Sequence, residues 1–401
     1  MTQSRSTRDV KALEASLYMQ AARRVPVTLV RGEGTRVWDD TGKSYLDFVA
    51  GIATNSLGHA HPGLADVIAT QAHTLIHVSN IFYSEPQIEL AELLISHSAL
   101  DRVFFSNSGA EANEAAIKIA RKWGKLHRDG AFEIIVTDHS FHGRTMATVS
   151  ATGTPRYRDP FAPTLPGFVF VAYDDVDAVR RATTPRTAAV MVEPVQGEGG
   201  VNVPKPDYLP QLRRWCDEQG LLLILDEVQT GVGRTGTIWA YEQVGIEPDV
   251  MTSAKGIGGG VPLGATLAKE HASVFEPGDH GSTYGGNPLA TAAGTYVMRQ
   301  LVETDLLANV RARGEQLARR LAGLEDRTPL VTGERGVGLL RGLELGKEVA
   351  AEVVTRAVGR GILLNPVRPD VVRFMPPLTV TAGEIDEAVD IVESVLQEIG
   401  S

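Results

Sequence analysis

The chain has 401 residues, enough for two or three domains or for one large domain with a smaller one attached. Its net charge of −10 provides no field to draw in nucleic acid or an anionic membrane, so neither is expected as a partner. The single cysteine, Cys216, excludes an intrachain disulfide and points to a reducing, cytoplasmic setting.

The first fifteen residues include Arg5, Arg8, Asp9, Lys11 and Glu14 with no apolar run, so no secretory signal is expected. Residues 27–31, 35–38 and 44–48 then read as a hairpin-like passage around a glycine-containing turn. Six short apolar runs follow: 102–106 (RVFFS), 133–137 (EIIVT), 168–172 (FVFVA), 188–192 (AAVMV), 221–225 (LLLIL) and 263–268 (LGATLA). Most lack polar alternation, as in strands covered on both faces by helices. The longest aliphatic stretch, such as 221–225, falls far short of the ~20 residues a membrane helix needs.

The clearest helix spans 108–123. Ala112, Ala115, Ala116, Ile119, Ala120 and Trp123 keep helical spacing, and Ser108 with Glu111 supplies a capping box. Strand–helix alternation over 60–280 predicts an α/β domain with a mostly parallel, doubly wound sheet. From 290 onward the pattern changes to a long helical run over 291–321, a strand at 342–345, a helix around 348–358, an extended 371–375 and a terminal helix over 382–399. This tail reads as a smaller α+β domain. The expected division is 1–50 as an N-terminal segment packing with the small domain, 51–290 as the large domain and 291–401 as the small one.

The chemistry concentrates in residues 221–260. The LLLIL strand ends at Asp226, followed by Glu227, Val228 and Gln229, and ligands bind at carboxyl ends of strands in open α/β sheets. Lys255 stands among small residues after Val250 and Met251, where a desolvated lysine can act as a nucleophile. An Asp and a Lys at one site match the arrangement used with pyridoxal 5'-phosphate (PLP), although an arbitrary Asp–Lys pair is more often a plain ion pair. Ser108, Gly109 and Ala110 open a helix after a strand, the setting for a backbone phosphate cradle, and equally for an ordinary capped helix. After the next strand, Phe141 offers a face for a flat ring and Arg144 a clamp for a carboxylate.

Two other motifs compete. Residues 231–236 (GVGRTG) satisfy the dinucleotide pattern literally, but the five residues DEVQT separate them from the strand. His59 and His61 form a potential metal pair with no third ligand nearby, and a turn before Pro62 accounts for them as well.

FSNSGAEANEAAIK, FHGRT, VEPVQGEGG, ILDEVQTGVGRTG, SAKGIGGGVPLGA and GSTYGGNPLA occur in that order. They closely resemble the class III (ornithine/acetylornithine/4-aminobutyrate) group of PLP-dependent aminotransferases, from about Gly32 to about Leu378, and within it the acetylornithine branch. The resemblance implies fold type I, the aspartate aminotransferase-like architecture, and a homodimer with shared active sites. It implies small-molecule substrates: an acylated diamino acid, with 2-oxoglutarate and glutamate.

By the same resemblance Lys255 would form the Schiff base and Asp226 would pair with the pyridine nitrogen. Gln229 would reach the ring hydroxyl, within a cofactor-binding run that includes Glu227 and Val228. Ser108, Gly109 and Ala110 would hold the phosphate, and Phe141 would stack on the ring. Thr283 would contact the phosphate of the neighbouring subunit's cofactor, with Ser282 near the substrate. Arg144 would bind the substrate carboxylate, and Glu198 would pair with Arg373 until a dicarboxylate enters. Ornithine aminotransferases carry an N-terminal tyrosine for the free α-amino group. The matching stretch here, Met19 to Arg23, has alanine, and Tyr18 lies out of register. Another ω-aminotransferase of the group (using ornithine, succinylornithine, 4-aminobutyrate or a carrier-bound lysine precursor), a PLP aminomutase, and a nicotinamide dehydrogenase on the GVGRTG loop remain as alternatives.

Overall fold

The computed structural model describes residues 9–400; Arg5 and Arg8 of the leader reading lie outside the described residues. A seven-stranded sheet runs in the order Arg102–Ser106, Gly264–Ala268, Val250–Ser253, Leu222–Asp226, Thr187–Val192, Glu133–Thr137, Phe168–Val171. Gly264–Ala268 is antiparallel to both its neighbours, and every other pair is parallel. The central strands are apolar on both faces because both faces are covered. Leu222 and Ile224 share one core with Ala116, Ile117 and Ala120 of the helix Gly109–His127. Leu223 and Leu225 face the opposite way, into the core that holds Leu212 of the helix Tyr208–Gln219.

Two smaller sheets flank this layer. One is built from Leu29–Glu33, Arg36–Asp39 and Ser44–Asp47, and it takes in Ile362–Leu363 as a parallel fourth strand. The other is antiparallel, in the order Val331–Val337, Leu340–Leu345, Val371–Phe374, Asn365–Arg368. Among the described residues no helix is long and apolar enough to cross a membrane.

Two expectations are corrected. The helical run over 291–321 is two helices, Pro288–Glu303 and Leu306–Ala322. Thr304 is extended, and its hydroxyl accepts the Leu306 N–H at 3.3 Å, which diverts the chain into a new helix start. Val250–Ser253, read only as an apolar segment, is a full member of the central sheet. Its last two residues are polar but buried. Thr252 donates its hydroxyl to Asn113 Oδ1 at 2.7 Å, so the polarity serves a contact rather than a loop.

The helix Gly109–His127 runs past the expected end at Trp123, and Gly124 allows it to. A Cβ at Gly124 would lie 2.1 Å from the Ala131 carbonyl oxygen and 2.9 Å from Ala188 Cβ. Helix propensity alone favours Gly124→Ala by about 1 kcal/mol. The clash involves backbone and cannot be relieved by a rotamer change, so the substitution destabilises by about 1–3 kcal/mol. The urea midpoint should fall with an unchanged slope. A midpoint equal to or above that of the wild type would refute this.

Candidate active site

The site forms along the carboxyl edge of the parallel strands. Leu222–Asp226 ends on Asp226, and the loop beyond Glu133–Thr137 carries Phe141, His142 and Arg144. The loop beyond Thr187–Val192 carries Glu193 and Glu198, and the turn beyond Val250–Ser253 carries Lys255. With Gly109, Ala110, Asn113, Gly143, Val228 and Gln229 these residues line one cavity of about 220 Å³.

Asp226 is 4% exposed, and both its oxygens are occupied. Oδ2 accepts from Asn113 Nδ2 at 2.7 Å and is paired with His142 Nδ1 at 2.8 Å, and Oδ1 accepts the Val228 N–H at 3.0 Å. Burial alone would lower the His142 imidazole. The hydrogen bond and charge of Asp226, with Glu193 beyond, outweigh burial and raise it. Burial pushes the Glu193 carboxyl up to about 7, with Asp226 adding to the rise and His142 opposing it. Glu193 also anchors Phe141, whose N–H donates to Oε1 at 3.0 Å.

Lys255 sits at φ 48°, in the left-handed region that non-glycine residues seldom occupy. Its ammonium has no hydrogen-bond or ion-pair partner among the described residues. Burial lowers its pKa and Arg373 adds to the fall, against the pull of Glu198, Asp226 and Glu193. A lowered, unpartnered amine is the form in which a lysine works as nucleophile or base.

Glu198 and Arg373 meet at 2.7 Å. Arg373 is 0% exposed and also donates to Gln229 Oε1 at 3.2 Å and Asn365 Oδ1 at 2.8 Å. Gln229 Nε2 closes the group on Glu198 Oε1 at 3.2 Å. Burial would raise the Glu198 carboxyl. The charges of Arg373 and Lys255 and the donors from Arg373 and Gln229 overcome that and hold it at about 2. Arg144, by contrast, is exposed, makes no ion pair among the described residues and lies over the Tyr157 ring at 4.0 Å.

Several expected residues stand apart from the cavity. Ser108 caps the helix, its Oγ accepting the Glu111 N–H at 3.2 Å. The return bond from Glu111 goes to the Asn107 N–H at 2.6 Å, not to that of Ser108 as a strict capping box requires. Ser282 Oγ accepts from Asn107 Nδ2 at 3.1 Å and from the Gly285 N–H at 2.9 Å, and Thr283 beside it is exposed. Glu227 faces the core, accepting from Thr230 Oγ1 at 2.6 Å and the Tyr241 N–H at 3.0 Å. Tyr18 is 62% exposed under Arg24, and it does not line the cavity. Asn113, Glu193, Tyr157 and Asn365 went unnoticed in the sequence. Asn113 alone left a signal, as a polar residue on an otherwise apolar helix face.

The competing motifs resolve into structure. The GVGRTG loop opens no helix, and Arg234 is buried with Nη1 donating to the carbonyls of Leu339 at 3.1 Å and Pro376 at 2.6 Å. It ties the loop to the C-terminal sheet, and the dehydrogenase reading falls with it. His59 Nε2 pairs with Asp47 Oδ2 at 2.7 Å, while His61 caps the helix Pro62–Thr74.

Residues 17–396 match the family described as Aminotransferase class-III. The chain belongs to the class III aminotransferases. An acetylornithine aminotransferase of Thermosynechococcus vestitus is 54% identical over 389 residues, 94% of each chain. One from Methanocaldococcus jannaschii is 47% identical over 393 residues, covering 96% of this chain and 98% of that protein. Among solved structures, the ornithine aminotransferase of Toxoplasma gondii ME49 matches with a TM-score of 0.94 at 35% identity, over 97% of this chain and 94% of that one. The N-acetylornithine aminotransferase of Stenotrophomonas maltophilia matches at 0.84 and 36%, over 97% and 98%. The architecture is fold type I, as the motifs implied.

Class III aminotransferases are PLP-dependent, and the residues of this chain fit that cofactor. A buried acid is fixed at the strand end and an unpartnered lysine shares its cavity. Phe141 and Val228 supply apolar wall. The Gly109 and Ala110 amides have no protein acceptor among the described residues. A Cβ at Gly109 would lie 2.6 Å from Val228 Cγ1, so glycine is what allows these two walls to close together.

The inward turn of Glu227 gives a stability prediction. Burial is the main cause raising its carboxyl to about 7, with hydrogen bonds from Thr230, Ala240 and Tyr241 opposing. Because the folded value lies above the unfolded one, this group's stabilisation is complete below about pH 4.5 and is lost as pH rises through about 7. The span corresponds to about 3 kcal/mol. Glu227→Gln should remove that slope from the unfolding free energy. An identical pH profile in the variant would overturn the assignment.

Proposed function

We propose that this aminotransferase moves the terminal amino group of N2-acetyl-L-ornithine to 2-oxoglutarate, yielding N-acetyl-L-glutamate 5-semialdehyde and L-glutamate, a step of arginine biosynthesis. The observation that carries this reading is the contrast between two arginines, Arg144 lining the cavity and Arg373 buried behind Glu198. Arg144 is unpaired, and Arg373 is neutralised by Glu198. One fixed cation suits the carboxylate of an acylated diamino acid, and a second, releasable one suits a dicarboxylate. The 54% identity to an acetylornithine aminotransferase over nearly the whole chain points the same way.

PLP supplies an electron sink for the charge that develops on the amine-bearing carbon. Asp226 would hold the proton on the ring nitrogen, backed by Asn113 and His142. The Gly109 and Ala110 amides, with Ser108 at the cap, would hold the phosphate. Phe141 and Val228 would contain the ring, and Gln229 would reach its hydroxyl. Lys255 Nζ would take the proton from the substrate carbon and return it, a role that the lowering of its pKa by burial favours. Lys255→Ala should lose roughly 10²–10⁴-fold or more in turnover.

The shared-site homodimer belongs to the same proposal. Thr283 points out of this chain beside exposed Tyr284, and Asn80 ties that loop to the exposed Ile81, Phe82 and Tyr83 through bonds to the Ser282 and Gly285 carbonyls, both 2.9 Å. An apolar rim around an outward threonine suits a second copy whose phosphate Thr283 completes, with Ser282 near its substrate. Mixing inactive Lys255→Ala with inactive Thr283→Asp subunits should restore partial activity, and a fully active monomer in sedimentation would end the idea. The division into 1–50, 51–290 and 291–401 is kept as a proposal, supported by the pairing of Ile362–Leu363 with Ser44–Asp47. A cytoplasmic setting is supported by the single, buried Cys216.

Glu198→Ala tests the substrate reading. The free Arg373 would keep or improve the glutamate/2-oxoglutarate half of the reaction and worsen the acetylornithine half. Losing one charge-assisted pair shifts the ratio of the two specificities roughly 10- to 150-fold. Single-turnover absorbance resolves the halves, and an equal loss in both would reduce Glu198 to a structural role. A panel of amine donors including ornithine, succinylornithine and 4-aminobutyrate decides the acyl group.

A further inference from the structure

Arg144 and Arg373 are held by opposite means. Arg373 is fixed by the oxygens of Glu198, Gln229 and Asn365. Arg144 has no such oxygen among the described residues, yet its guanidinium carbon lies 4.0 Å from the centroid of the Tyr157 ring and 5.3 Å from that of Phe141. Tyr157 meets Phe141 edge to face, with centroids 5.8 Å apart and planes at 83°. Its hydroxyl accepts from Arg156 Nη2 at 2.7 Å. One half-buried ring therefore contacts both the proposed carboxylate clamp and the proposed cofactor wall.

The physical consequence concerns donors. An exposed arginine has rotamer entropy to lose before it can bind in one geometry. A protein carboxylate would orient it but would occupy its fork and cancel its charge. An aromatic face attracts the cation through the ring quadrupole and leaves the N–H groups at the rim of the guanidinium free. We propose that Tyr157 is a positioning residue that orders Arg144 for substrate carboxylates without consuming its hydrogen-bond donors. This rests on the assignment of Arg144 made above.

The test is calorimetric binding of glutarate, a dicarboxylate with no amine or keto group to react, to the PLP-loaded enzyme. Wild type is compared with Tyr157→Leu, Tyr157→Phe and Arg144→Gln, with cofactor content and Tm measured alongside. Tyr157→Leu should weaken glutarate roughly 3- to 30-fold, the range of an aromatic–cation contact. KM for both substrates should rise by a similar factor with kcat nearly unchanged. Tyr157→Phe keeps the ring and should stay within a factor of ~3 of wild type. Unchanged glutarate affinity in Tyr157→Leu overturns the proposal if Arg144→Gln still weakens binding. An equal loss in the phenylalanine and leucine variants also overturns it, because the Arg156 hydrogen bond would then be what matters. If Arg144→Gln leaves glutarate binding untouched, the carboxylate assignment itself fails and takes the proposal with it. Should the leucine variant not fold, Tyr157→Trp, with its stronger ring face, should keep or improve the affinity, and a loss there overturns the proposal.

Discussion

The Asp226 carboxylate ends a strand in which every residue is buried, where an uncompensated charge would be neutralised or expelled. Asn113, His142 and the Val228 amide compensate it, and each comes from a different element. That requirement fixes the relative positions of the helix Gly109–His127, the loop carrying Phe141 and Arg144, and the turn after the strand. Asn113 is itself held, its Oδ1 accepting from Thr252 two residues before the turn that leads to Lys255. Asp226 and Lys255 are thus placed through one chain of buried hydrogen bonds. Breaking it anywhere would leave a desolvated polar group unsatisfied, at a cost of about 1–3 kcal/mol.

Two glutamates on one loop show how environment separates identical groups. Glu193 has no guanidinium beside it, and burial raises it to about 7. Glu198 is five residues on, contacts Arg373 and is held at about 2. The difference decides what each can do near neutral pH. Glu193 sits close to its own titration point and can share a proton with its neighbours. Glu198 stays an anion, and because Arg373 is fully buried, Glu198 can leave only if another anion takes its place. An incoming carboxylate meets that condition. A neutral amide does not.

The reading of the sequence was strongest where burial dictated residue type. Six apolar runs identified six of the seven central strands, because a strand covered on both faces has no use for polar alternation. Val250–Ser253 escaped because two of its residues are polar for the sake of buried partners, which no local pattern reveals. The break at Thr304 escaped because the alanine- and leucine-rich stretches on either side continue the helical spacing across it. At the site, Asp226, Lys255, Gly109, Ala110, Phe141, Val228 and Gln229 stood in recognisable motifs and line one cavity. Asn113, Tyr157, Glu193 and Asn365 did not, since their places depend on elements far apart in sequence. Glu227 shared the motif of Asp226, but neighbours in extended chain face opposite ways, and it turned to the core.

The glycines in the loops of the site bring those loops together more than they loosen them. A Cβ at Gly197 would lie 1.6 Å from Gln229 Oε1, so only glycine leaves room for Gln229 to reach Glu198 and Arg373 together. At Gly199 a Cβ would lie 2.7 Å from the His139 carbonyl, and at Gly285 2.4 Å from that of Phe105. Loops packed this closely have little freedom to move independently. Against that rigid surround, Lys255 and Arg144 are long side chains at the cavity whose charged ends meet no oxygen of the described protein. The two cations that an incoming molecule has to meet keep their hydrogen-bond donors unspent, while the groups around them are fixed before it arrives. Preorganisation of this kind moves the ordering cost from binding to folding, where the buried core of the sheet offsets it.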